Sequence, residues 1–293
     1  MTTTHPESTA ELTVVDSGLL ALVQDVGRHG WAHLGVGGSG AFDRPAMALA
    51  NRLVGNDECA AVIEVTNGGL AFICDGPTRV AITGAPLPVK VGNRSHWTHE
   101  VIAVPAGRAV RLGVPERGLR SYVAVRGGIR AEPVLGSRST DLLSRLGPPP
   151  LRAGDVLPIG RPRGPVPVSD VVVPPPVLDE DEFLPVSLGP RADWFEPTAV
   201  EALLGSRFEV TADSDRIGVR LAGPALPRRI HDELTSEGVV EGALQAPPDG
   251  RLTLFGPDHP VTGGYPVIAV VRDRAMPLVG QLRPGQGVRF TRG

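Results

Sequence analysis

Four charged residues sit in two glycine-containing turns. Asp25 and Arg28 lie in Gln24-Asp25-Val26-Gly27-Arg28-His29-Gly30, and Asp215 and Arg216 lie in Ser214-Asp215-Arg216-Ile217-Gly218. An acid next to an arginine at a turn can hold an anion and orient a proton or a water, so these four are the candidate catalytic residues. Asp25 or Asp215 would position or activate water, or accept a substrate N–H. Arg28 and Arg216, with Arg138, would stabilise negative charge developing on an oxygen. For the second turn, a solvated Asp215–Arg216 ion pair is the simpler alternative.

Candidate binding groups lie around them. Gly136-Ser137-Arg138-Ser139-Thr140-Asp141 places three hydroxyls and a guanidinium before an expected helix. A helix cap accounts for one hydroxyl and leaves Ser137 and Arg138 unexplained, so an anion or carboxylate site competes with the cap. Gln24, Asp43 and Ser214 flank the charged turns. Thr262 and Tyr265 lie in the polar loop from Asp258 to Pro266, and Gln245 precedes it. Polar loops of this kind are site candidates; a tight turn with a locally satisfied Tyr is the alternative.

Other chemistries lack their patterns. Gly35-Val36-Gly37-Gly38-Ser39-Gly40 matches a dinucleotide fingerprint formally, but no strand immediately precedes it inside a βαβ unit. The expectation is a flexible loop that lets a ligand or partner approach the backbone. The pairs His29/His33 and His96/His99 lack the cysteine partners and helical setting of a metal site. There is no Walker lysine motif and no Gly-x-Ser-x-Gly elbow. Cys59 has no obvious base nearby, which argues against a cysteine nucleophile.

These residues need elements to position them. Ala46, Met47, Leu49, Ala50, Leu53 and Val54 recur at helical spacing, with Asp43 as cap, Pro45 in the first turn and Gly55 at the exit. The N-terminus of that helix would attract anions. Two further helices are expected, over 141–146 capped by Ser139 or Thr140, and over 197–204. Strands are expected at 12–15 and 19–23 around a hairpin-like turn at 16–18, then at 62–65, 70–73, 79–83, 101–104, 110–114, 121–125 and 156–159. In the second half they fall at 184–188, 208–211, 218–221, 252–255, 267–271 and 288–290. Gly or Pro separates most of them, as in an all-β fold.

The 37 glycines and 30 prolines, against 4% aromatics, favour short strands and turns in a chain of 293 residues. The pattern predicts a mainly β protein of two barrel-like domains with few short helices, residues 11–165 and 177–293. The proline-rich stretch 166–176 would be a linker or edge crossing. A net charge of −3 offers no case for nucleic acid or an anionic membrane. No apolar run is long enough to span a bilayer. Residues 1–10 read as a polar tail rather than a signal peptide, and the two cysteines as reduced thiols, so a cytoplasmic location is expected. Similar turns at 104–110, 151–157 and 282–288 weakly suggest duplication, though β proteins commonly reuse turn chemistry.

The block from Gln24 to Asn56, with Ala81–Ala85, Gly118–Ala124, Leu135–Thr140, Ser214–Gly218 and Thr262–Pro266 in the same order, resembles the allophanate hydrolase subunit 2 family. That family includes the C subunit of 5-oxoprolinase, the Kip anti-inhibitor protein and the carboxyltransferase part of urea amidolyase. The resemblance implies two cyclophilin-like β-barrel domains. It also implies a partner of the 5-oxoprolinase B-subunit or Kip inhibitor type, and three candidate activities. One is ATP-dependent hydrolysis of 5-oxoproline, a small lactam, shared with that partner and a third protein; the ATP site would be shared or supplied by the partner. The others are non-enzymatic relief of kinase inhibition and an allophanate- or urea-related carboxyltransferase or hydrolase role. Ala46-Met47-Ala48 and Ala275-Met276-Pro277 lack the lysine of a biotin attachment site, so no covalent biotin is expected. That and the chain length favour the oxoprolinase reading. His259-Pro260-Val261 departs from the polar residues family members more often carry, which leaves that loop's role open.

Overall fold

A computed structural model of the chain describes residues 8–165, 167, 171–173, 181–248 and 251–293. The chain clusters into two compact units. One comprises Met1–Arg28, Asp43–Asp141 and Arg145–Val177; the other comprises His29–Phe42, Leu142–Ser144 and Leu178–Gly293.

The first unit carries strands β1 (Ser8–Ser17), β2 (Leu20–Gln24), β3 (Val62–Thr66), β4 (Leu70–Cys74), β5 (Thr78–Gly84), β6 (Pro88–Val91), β7 (Arg94–Trp97), β8 (Val101–Val104), β9 (Ala109–Leu112), β10 (Arg120–Val125) and β11 (Val156–Gly160). They form a six-stranded sheet, β11-β1-β4-β9-β6-β7, and a five-stranded sheet, β2-β3-β10-β5-β8. The core contains Leu12, Val14 and Phe72 from the first sheet and Val23, Ile63, Ile82 and Val123 from the second. Side chains alternate across a strand, so Gln24, Glu64, Thr83 and Tyr122 belong to the opposite face of the five-stranded sheet. Register sets Tyr122 directly between Glu64 and Thr83.

Helix α1 (Arg44–Leu53) lies against β5 and β10. The Asp43 carboxylate accepts the Ala46 N–H at 3.0 Å, Pro45 is in the first turn, and Met47, Ala50 and Leu53 are buried. Thr83 donates to the Ala46 carbonyl at 2.6 Å, and the Tyr122 oxygen accepts the Asp43 N–H at 2.7 Å. Gly55, with φ +69°, lets the chain turn away as expected.

Three local expectations are corrected. The 16–18 turn closes no hairpin: β1 pairs with β11 and β4, while β2 pairs with β3, so the turn carries the chain from one sheet to the other. Gly18 is needed there, because a Cβ would meet the Gly68 carbonyl oxygen at 2.3 Å. Residues 141–146 form a turn, not a helix; the Asp141 N–H reaches the Leu146 carbonyl, and Arg145 has φ +56°. The tail shortens as well, since β1 begins at Ser8; residues 1–7 lie outside the described residues. Most of the proline-rich 166–176 segment also lies outside them. Within it, Val172 donates to the His99 carbonyl at 3.0 Å.

The second unit carries β12 (Asp181–Leu188), β13 (Arg207–Val210), β14 (Gly218–Ala222), β15 (Glu237–Gly238), β16 (Ala243–Gln245), β17 (Leu252–Phe255), β18 (Thr262–Gly263), β19 (Val267–Val271) and β20 (Gly287–Arg292), with helices α2 (Pro197–Gly205) and α3 (Met276–Val279). Seven strands close a barrel in the order β12-β19-β16-β17-β14-β13-β20, and the parallel β12–β20 pair completes it. Closure removes exposed sheet edges. Phe208, Leu221, Leu244, Leu254, Ile268 and Phe290 fill its core, joined by Phe42. The protein is thus mainly β with few short helices, and this unit is a true barrel.

Candidate active site

In the first unit, Asp25 is a hub. Its Oδ1 accepts the hydroxyls of Ser137 (2.6 Å) and Ser139 (2.7 Å) and the Gly27 N–H (2.9 Å); Oδ2 accepts the Arg138 N–H (2.7 Å). The Asp25 N–H in turn donates to the Ser139 hydroxyl oxygen, and the Gln24 amide donates to the Thr140 carbonyl. A carboxylate has about four acceptor sites, so four donors leave Asp25 little capacity to act as a base. These bonds tie the 137–140 loop to the end of β2. The Ser137 and Ser139 hydroxyls are directed to Asp25 rather than to a helix end.

Arg28 is fully buried. Its guanidinium donates to the Ser139 carbonyl and lies 3.7 Å from the Asp141 carboxylate. Gly147 lies beside this pair, because a Cβ there would be 2.1 Å from the Ser139 carbonyl oxygen and 3.1 Å from the Arg28 guanidinium. Arg138 differs. Among the described residues its guanidinium has no hydrogen-bond or ion-pair partner, and its Nε is shielded from solvent. It is the cation of this loop that remains available to a ligand.

On the face under α1, the Tyr122 hydroxyl donates to Glu64 at 2.9 Å, and Arg120 lies 3.6 Å from the same carboxylate. Burial, with Glu64 adding to it, pushes the Tyr122 phenol well above its ordinary range, so it stays protonated. Asp43 caps α1 with its own carboxylate, which disfavours a second anion at that helix end.

In the second unit, Arg216 does not pair with Asp215. Its Nε and Nη2 grip both oxygens of Asp258 at 3.0 Å, and Nη2 also donates to the Gly40 carbonyl at 2.6 Å. The Ser39 hydroxyl donates to Asp258 at 2.6 Å, and the Leu142 N–H does so at 3.1 Å. Arg216 and Asp258 are both 1% exposed, so this is a buried pair that holds the end of the glycine loop. Asp215 is exposed and caps its own turn, accepting the Ile217 and Gly218 N–H groups. Ser214 pairs with the Arg220 backbone. The buried Gln245 amide donates to the Tyr265 carbonyl at 3.0 Å. Thr262 and the Tyr265 side chain are exposed, with Thr262 in the two-stranded β15–β18 sheet.

The sequence-predicted residues therefore form several local groups. Ser39, Glu64, Tyr122 and Asp141 were not singled out, and Asp258 was read only as the first residue of a candidate polar loop. Tyr122 and Glu64 had a usable signal: polar residues at alternate positions in otherwise apolar strands. The pairing of Asp258 with Arg216 had no signal, because the two lie 42 residues apart. Among the described residues, no three His, Cys, Asp or Glu side chains gather as metal ligands.

A family model described as "Carboxyltransferase domain, subdomain A and B" matches residues 34–292. The chain belongs to this carboxyltransferase-domain family. It is 35% identical to the 5-oxoprolinase C subunit of Escherichia coli K12, over 95% of this chain and 90% of that protein. It is 32% identical to urea amidolyase of Lachancea kluyveri, over 94% of this chain but 16% of that protein. The crystal structure of TTHA0988 matches with a TM-score of 0.89 and 35% identity, over 98% of this chain and 57% of that one. This carboxyltransferase-domain chain thus spans nearly all of one relative and smaller parts of the other two. Among its described residues, no helix is long and apolar enough to cross a membrane.

Proposed function

We propose that this chain is the C subunit of a 5-oxoprolinase, acting with a B-subunit-type partner and a third protein to convert 5-oxoproline to glutamate with ATP. The observation that carries this reading is the match to the 5-oxoprolinase C subunit across 90% of that protein's length. A lactam resists hydrolysis until its oxygen is phosphorylated or polarised, so the chemistry calls for donors around developing negative charge. Arg138 suits that role, being uncommitted on a loop that Asp25 holds rigid. Asp25, Arg28 and Arg216 act as positioning groups. The internal pairing of Arg28 and Arg216, with Asp43 occupying the α1 end, supports placing the nucleotide phosphates on a partner protein.

The assay is 5-oxoproline-dependent ATP hydrolysis, with the partner proteins added one at a time. Turnover is expected only with the complete set. A stable complex without 5-oxoproline turnover would favour the non-enzymatic binding role. The family name favours a second reading, carboxyl transfer as part of a larger assembly. Carboxylation of urea by the assembled proteins, with a biotin-bearing partner, would select it.

A further inference from the structure

The first unit contains a cleft of about 250 Å³ whose lining includes none of Asp25, Ser137, Arg138 and Ser139. Its lining includes Cys59, Ala61, Ile129, Arg130, Arg161 and Arg163. The site is built by close backbone approach. Gly127 has φ +104°, and a Cβ on it would fall 2.0 Å from the Gly160 carbonyl oxygen. A Cβ on Gly160 would meet the Arg130 Nε at 2.4 Å, so glycine at both positions lets the Arg130 guanidinium cross this floor. Asn56 locks one wall, accepting the Gly127 N–H at 2.8 Å and donating to the Val125 carbonyl at 2.8 Å.

Charge within the cleft is one-sided. Arg130, Arg161 and Arg163 face one carboxylate in the lining, Asp57. Asp57 is engaged locally, with its Oδ1 accepting the Cys59 N–H at 2.8 Å. Arg161 and Arg163 are exposed and have no hydrogen-bond or ion-pair partner among the described residues. Planar guanidinium groups grip oxyanions through two parallel bonds, which suits carboxylate and phosphate equally. Ala60, Ala61 and Ile129 supply an apolar side for a small carbon skeleton.

We propose that this cleft is a binding site for a small organic or inorganic oxyanion, held by Arg161 and Arg163 over the Gly127–Gly160 floor. It does not depend on the 5-oxoprolinase reading. Either a free phosphate or a carboxylate-bearing metabolite supplies the chemistry.

Cys59 gives a local readout. It is the exposed one of the two cysteines and lines the cleft, while Cys74 is buried with its thiol pushed up to about 12 by burial. The rate of Cys59 alkylation by iodoacetamide, followed by peptide mass spectrometry on the full chain, reports occupancy. The arms are sodium phosphate, 5-oxoproline, glutamate, and sodium chloride at matched ionic strength, the last because salt alone screens surface charge. At ten times the dissociation constant about nine-tenths of sites are filled, so labelling should slow about tenfold with phosphate or with a carboxylate. Chloride should give no such protection, and the Arg161→Gln/Arg163→Gln double variant should lose it. Protection by phosphate alone or by the carboxylates alone identifies the ligand's source. Equal labelling in all arms, or equal protection of the double variant, overturns the proposal.

Discussion

Two arginines of similar sequence context have different surroundings. Arg216 is buried with both oxygens of Asp258 and the Gly40 carbonyl, whereas the Arg138 guanidinium has no hydrogen-bond or ion-pair partner among the described residues. Removing one member of a buried pair strands the other charge, at a cost of about 3–5 kcal/mol. Lysine at 216 keeps the charge but cannot reproduce the fork that meets both carboxylate oxygens. Arg216→Lys and Asp258→Asn should both lower the denaturation midpoint strongly. Arg138→Ala should leave that midpoint nearly unchanged while lowering kcat/KM of the assembled enzyme about ten- to a hundred-fold, the equivalent of one charge-assisted bond of roughly 1.5–3 kcal/mol. Urea melts of the isolated chain and kinetics of the complex separate the two effects. A wild-type midpoint for both Arg216→Lys and Asp258→Asn would show that the pair contributes little to stability. Normal turnover of Arg138→Ala would remove it from the site. The sequence made Arg216 conspicuous but pointed to its neighbour Asp215, because adjacency is visible in a sequence and a partner 42 residues away is not.

At the scale of elements, strands bounded by Gly or Pro were legible, as was α1 with its cap and exit glycine. The β6–β7 hairpin was missed because Lys90, Arg94, Ser95 and His96 dilute its apolar signal, although Val89 and Val91 alternate inward. The barrel strand β16 was missed because three residues are too few to show a period. The 141–146 segment failed for another reason. Hydroxyls before leucines look like a capped helix, but Ser139 is drawn to Asp25, a long-range contact that overrides local propensity. Gly147 holds this turn closed with φ +78°. Gly147→Ala would force a left-handed alanine and set its Cβ against the Ser139 carbonyl oxygen. Strain of this kind costs on the order of 1–3 kcal/mol. The variant should therefore melt earlier, with faster hydrogen exchange concentrated in residues 137–147. Unchanged exchange there, despite a folded protein, would mean the turn tolerates the side chain and is not the rigid support of Arg138.

At the scale of the whole molecule, the family match covers residues 34–292, while the same region is 16% of the Lachancea urea amidolyase, most of which lies outside the match. The described residues of this chain offer many internally paired charges, with the Arg138 guanidinium unpaired beside the Asp25 hub and Arg161 and Arg163 unpaired at the cleft they line. An ATP triphosphate normally needs a backbone cradle and several free cations. The α1 N-terminus is capped by Asp43, and Arg28 and Arg216 already have carboxylate partners. Calorimetry should therefore find no micromolar ATP binding by this chain alone, up to about millimolar nucleotide. Light scattering should show a stable heteromer once a B-subunit-type partner is added, and nucleotide binding should appear with the partner set that hydrolyses 5-oxoproline. Any weak phosphate binding at the Arg161–Arg163 cleft is separated from this result by titrating the Arg161→Gln/Arg163→Gln variant, which should lose it and still assemble and turn over normally. Tight, saturable ATP binding by the chain alone would place the nucleotide here instead, and would require the buried arginines to release their carboxylates or the phosphates to rest on exposed arginines such as Arg161 and Arg163.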